Sequence, residues 1–89
     1  MDEFWIIVYS EDYDLGVGMV VKNNTPLMDI YKELFAKLRI PLPENKVAIF
    51  SAKDQWRCAS GHKLKDLGDF HDKDMIFLSL WDLNFDISD

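Results

Sequence analysis

The sequence predicts an α+β fold, with a single helix laid on one face of a mixed β-sheet. Three observations point there. Two short runs rich in β-branched and aromatic residues open the chain. One amphipathic helical stripe follows, stopped by a proline pair. Two more strand-like runs and a final one, apolar on both faces, close it, giving the order ββαββ, a short turn, then β. A helix with one apolar stripe needs a partner surface, and a sheet supplies it.

The first strand is expected at Phe4–Tyr9, with Ser10 trailing (FWIIVYS). It is apolar on both faces and therefore belongs inside the sheet. The polar turn Glu11–Gly16 leads into a second strand, Gly16–Lys22, close enough to pair as an antiparallel hairpin. Glycines at 16 and 18 suggest backbone freedom at that strand's start, because no phosphate-binding Lys-Ser/Thr follows them. Asn23-Asn24-Thr25-Pro26 reads as a helix start, with Thr25 as cap and Pro26 in the first helical position. Leu27, Ile30, Tyr31, Leu34 and Leu38 then recur at spacings of three and four. Glu33 and Lys37 form a favourable pair off the stripe. Ile40-Pro41-Leu42-Pro43 ends the helix.

Lys46–Ser51 is expected as the third strand, Ala52–Gln55 as a turn and Trp56–Ala59 as a short fourth strand. Leu64 and Leu67, followed by Gly68, predict one tight helical turn. Met75–Trp81 is the last strand, again apolar on both faces. The two most hydrophobic strands are the first and the last. Side by side at the centre they would be parallel neighbours, which is the β-grasp arrangement. Residues 1–82 are read as one domain and 83–89 as a flexible acidic tail.

Composition narrows the function classes. A chain of 89 residues buries only roughly 60–65% of its unfolded surface, so the 48% hydrophobic content must be used efficiently. The formal charge of −6, with bases scattered along the chain, disfavours nucleic acid and anionic membrane as direct ligands and leaves room for a basic or amphipathic protein partner. The acidic start MDEF lacks the basic region of a secretory signal, and no apolar run approaches the ~18 residues of a membrane span. With a lone Cys58 as well, a cytoplasmic location without membrane insertion is expected.

The segment Gly61–Leu80 holds both histidines, His62 and His71, among Asp66, Asp69, Asp72 and Asp74. Zinc accepts such ligands. The histidines are nine apart, however, and match neither the helical nor the strand spacing of a ligand pair; lysines alternate with the acids as in a solvated turn. Glu11, Asp12 and Asp14 lack the rest of a calcium loop. No nucleophile–base arrangement surrounds Cys58. The expectation is no metal, no cofactor and no enzyme activity.

The run from the helix through the proline pair, strand, turn and short strand to LKDLGDFHDKDMIFLSL resembles ubiquitin-like proteins over Phe4 to about Leu80. Leu64, Asp66 and Leu67 hold the Leu-x-Asp-apolar turn, and Asp72-Lys73-Asp74 the polar turn into the last strand. Within that group the chain is most similar to the YukD/EsaB proteins of bacterial type VII secretion. Asp12-Tyr13-Asp14-Leu15, Lys53-Asp54 and Lys63-Leu64-Lys65-Asp66 carry the likeness. It departs at Lys73-Asp74, where Gly-Asp is expected, and at Gly68-Asp69-Phe70, one residue longer. The resemblance implies a cytoplasmic accessory or regulatory protein that docks on secretion machinery, with no catalytic signature. A structural subunit or adaptor of another complex is the alternative. No glycine follows Gly68, so conjugation through a terminal Gly-Gly is not expected.

A sheet covered by one helix has an open face. In the last strand the resemblance places Ile76, Leu78 and Leu80 inward, which turns Met75, Phe77 and Trp81 outward. Trp5 and Ile7 of the first strand, and Ala48 and Phe50 of the third, are expected beside them. The interaction surface expected is therefore Trp5, Ile7, Phe50, Met75, Phe77 and Trp81, facing a protein partner or a second copy of the chain.

Overall fold

Phe4–Ser10 forms β1 and Leu15–Val21 forms β2, paired antiparallel from Phe4 opposite Val21 to Ser10 opposite Leu15. The computed structural model describes residues 3–83. The helix α1 spans Leu27–Leu38; β3 is Lys46–Ala52, β4 is Gln55–Cys58 and β5 is Met75–Asp82, with a 3₁₀ turn at Leu64–Leu67 before the last strand. The five strands lie in the order β2-β1-β5-β3-β4. β1 and β5 are the parallel central pair, and β3 runs antiparallel to both β5 and β4. This is the β-grasp order that the strand hydrophobicities predict.

The helix buries Leu27, Ile30, Tyr31, Leu34 and Phe35 against the sheet. Phe35 lies outside the predicted stripe. It widens that stripe by one position and meets Tyr31 and Tyr13 edge to face, with ring centroids 5.0 and 5.8 Å away. From the sheet, Ile6, Val8, Phe50, Ile76 and Leu78 complete the centre with no exposed surface. Each such side chain contributes about 1.5–3 kcal/mol by leaving water. Ser10 is buried among them, and its hydroxyl accepts the Tyr13 N–H.

The helix start differs from the expected cap. Pro26 is itself the capping residue, and the Thr25 hydroxyl accepts the Lys22 N–H instead, closing the turn after β2. The helix entrance is pinned from outside: Leu27 N–H donates to His62 O, and Leu64 N–H donates to Thr25 O. At the other end Arg39 is left-handed, and its N–H and that of Ile40 close a Schellman pair on Ala36 O and Phe35 O.

The third strand corrects the sequence reading. Phe50 and Ala48 face the helix, not the open side; Phe50 is 0% exposed. Register is the cause. Phe50 pairs with Leu78 and Ala48 with Leu80, and directly paired residues share a face. The inward row is Lys46, Ala48, Phe50 and Ala52 and the other is Val47, Ile49 and Ser51; each carries one polar residue, so the strand's own pattern does not choose between them.

Candidate functional site: the open face of the sheet

One row of side chains crosses all five strands on the face away from the helix: Gly16, Tyr9, Phe77, Ser51 and Trp56. A second row holds Gly18, Ile7 and Met75, and a third holds Ser79, Ile49 and Cys58. Trp5 with Val20, and Trp81 with Val47, occupy the two ends. The strand alternation that buries Ile6, Val8, Ile76 and Leu78 forces Trp5, Ile7, Met75, Phe77 and Trp81 to this side. Five of the six expected residues therefore share the face, and Phe50 does not.

Trp56 is absent from the expected set and is the most exposed aromatic on this surface, at 59%. Its indole lies 6.1 Å from that of Trp81, with the planes 31° apart. The two lean toward one another across β3. Ile49, between them in the register, is left only 6% exposed although it points away from the helix. The usable signal was pairing: Trp56 opposes Ser51 across a two-residue turn, Lys53-Asp54, in which both residues have positive φ. An open depression of about 380 Å³ beside it is lined by Ser51, Asp54, Trp56 and Phe77, among others.

The Trp5 indole lies over Gly18. A Cβ placed there would stand 2.0 Å from the indole Cζ2. Gly18 thus provides room for a ring, not the backbone freedom expected of it. Phe77 meets Tyr9 edge to face at 6.0 Å. Two carboxylates of the β1–β2 turn reach onto this face: the Tyr9 hydroxyl donates to Asp14, and the Ser79 hydroxyl donates to Glu11. Asp12 accepts the Leu80 N–H at 2.8 Å, so the turn is tied along β5 just beyond the end of β1.

The histidine–aspartate segment is turn chemistry. Asp66 accepts the Lys63 N–H at 2.8 Å, Asp72 accepts the Trp5 N–H at 2.9 Å, and Asp74 accepts the His71 N–H at 2.9 Å. His62 is paired through Nδ1 with Cys58 O at 3.0 Å. The hydrogen bond from His71 N–H, with Lys53 nearby, holds the Asp74 carboxyl below the usual aspartate range despite some desolvation. Gly68, at φ 134°, makes the bend that follows the 3₁₀ turn. Lys53 crosses this segment with its Nζ 4.8 Å from the Phe70 ring centre and 3.6 Å from Asp74. Among the described residues, no three His, Cys, Asp or Glu side chains converge to hold a metal. Nor is any helix there long and apolar enough to cross a membrane.

Neither a family model nor a curated protein matches the chain. Solved structures do. One, from work on molecular mimicry of SUMO that promotes DNA repair, covers 88% of this chain and 91% of its own, with a TM-score of 0.65 at 10% identity. Another, a ubiquitin-like domain from tubulin-binding cofactor B, covers 92% of this chain and 91% of its own, with a TM-score of 0.53 at 17% identity. At such identities the likeness establishes the fold, which is ubiquitin-like.

Proposed function

We propose that this chain is a ubiquitin-like interaction module that works by docking, with no bond-making step. The carrying observation is the open sheet face, where Trp5, Trp56, Met75 and Trp81 are each more than a third exposed on one surface. Exposed aromatics gathered on one side are the composition of an interface core. The finer reading is a cytoplasmic accessory or regulatory component of a bacterial type VII secretion system. Its support is the likeness of the Asp12–Leu15, Lys53-Asp54 and Lys63–Asp66 turns to the YukD/EsaB proteins. A second reading, an adaptor or structural subunit of another complex, is favoured by the likeness to the ubiquitin-like domain from tubulin-binding cofactor B.

The test is affinity capture from the source cell with the wild-type chain, Trp81→Ala and Phe77→Ala, with captured proteins identified by mass spectrometry. Secretion-machinery proteins retained by wild type and lost with both variants support the full reading. Capture unaltered by both variants overturns the docking face. A face-dependent partner set without secretion components overturns the type VII assignment and favours the adaptor.

A further inference from the structure

We propose that the occupant of the open face is a basic segment of a partner protein, with an arginine stacked on Trp56 and a second cation against Glu11 and Asp14. The proposal rests on the reading of that face as the docking surface and names what it binds. An aromatic plane favours a guanidinium, which stacks on it as a compact ammonium cannot. Trp56 presents such a plane, 59% exposed.

The negative charge is held in place. Glu11 is fixed by the Ser79 hydroxyl and Asp14 by the Tyr9 hydroxyl, and both residues remain exposed. One hydroxyl occupies one acceptor site of a carboxylate that has about four. The chain's neighbouring cations are engaged elsewhere. Lys46 is paired with Asp82 at 2.5 Å, Lys53 with Asp74, and Arg57 donates to Trp56 O at 2.7 Å. Among the described residues none forms an ion pair with Glu11 or Asp14. Ser79 and Tyr9 lie two and three strands from Trp56, or roughly 10 and 14 Å at the usual strand spacing. An extended segment with two cationic side chains spans that distance.

Charge also argues against the other occupants. A second copy would bring a further charge of −6 to the contact. Residues 84–89, NFDISD, carry two more aspartates and no base. The whole chain is at −6.

The test titrates the full chain with three peptides of equal length, repeats of Arg-Leu, Lys-Leu and Glu-Leu, followed by tryptophan fluorescence and backbone amide shifts. The Arg-Leu peptide is expected to bind saturably, to shift residues of β3, β4 and β5, and to bind at least threefold tighter than Lys-Leu. Glu-Leu should not bind. Trp56→Ala and the double variant Glu11→Gln with Asp14→Asn should each weaken Arg-Leu binding about tenfold; Asp29→Asn, on the helix, should leave it unchanged. Equal binding of Arg-Leu by wild type and both face variants overturns the proposal, as does equal loss in Asp29→Asn, which marks unspecific attraction. Dimerisation that is lost in Phe77→Ser assigns the face to a second copy, and tighter peptide binding after removal of residues 84–89 assigns it to that segment; each overturns the proposal. Partner capture that needs Trp81 and Phe77 but ignores Glu11→Gln leaves the docking surface standing and removes only its basic occupant.

Discussion

Replacing Phe50 with alanine measures which way β3 faces. The side chain is 0% exposed and pairs with Leu78 inside the helix–sheet layer. Removing it forfeits its transfer from water and leaves a cavity, at a cost of about 3–5 kcal/mol. An outward Phe50, as the sequence suggests, would lose only its cross-strand contacts, about 1 kcal/mol or less. A domain this size holds roughly 4–13 kcal/mol in total, so the alanine variant can approach the unfolding limit. Phe50→Leu keeps the experiment readable, with an expected loss of about 1–2 kcal/mol. Urea unfolding followed by far-ultraviolet circular dichroism reads both. With a slope of about 1 kcal/mol per molar, the leucine variant should unfold roughly 1–2 M earlier. A loss under about 1 kcal/mol for Phe50→Ala would refute the assigned register and the face derived from it.

Gly18→Ala should push the Trp5 indole off β2, because the new Cβ would fall 2.0 Å from Cζ2. The indole N–H resonance of Trp5 should move while the fold survives, with about 0.5–1.5 kcal/mol lost; an unmoved resonance contradicts the stacking. Asp74→Asn tests the acid limb of stability. The folded pKa lies below the ordinary aspartate value, so its contribution is complete above that value and fades as pH falls through it toward the folded pKa. Between about pH 5 and pH 3 wild type should therefore lose stability faster than Asp74→Asn; parallel urea midpoints across that range would remove the linkage.

The order of elements was legible because each carries its own period. The helix stripe, the proline stop and the two doubly apolar strands at the ends of the chain need no knowledge of their neighbours. That β1 and β5 lie together at the centre also follows, since they are the two most hydrophobic strands. Phe35 was within reach of the same logic, one position beside the stripe. β3 was not resolved in the same way. Val47-Ala48-Ile49-Phe50 is apolar in either parity, so local pattern could not choose a face.

What the sequence by itself determined is the β-grasp order and the structural character of the histidine–aspartate turns; the side of β5 that carries Met75, Phe77 and Trp81 came from the resemblance to ubiquitin-like final strands, and the strand pairing bears it out. Tertiary structure decided the rest. Pairing with Leu78 turned Phe50 inward, and the two-residue turn at Lys53-Asp54 brought Trp56 beside Trp81 over Ile49. The folded-back β1–β2 turn set Glu11 and Asp14 among the aromatics. Each of these joins residues from separate strands or a loop, and such register exists only once the strands have paired.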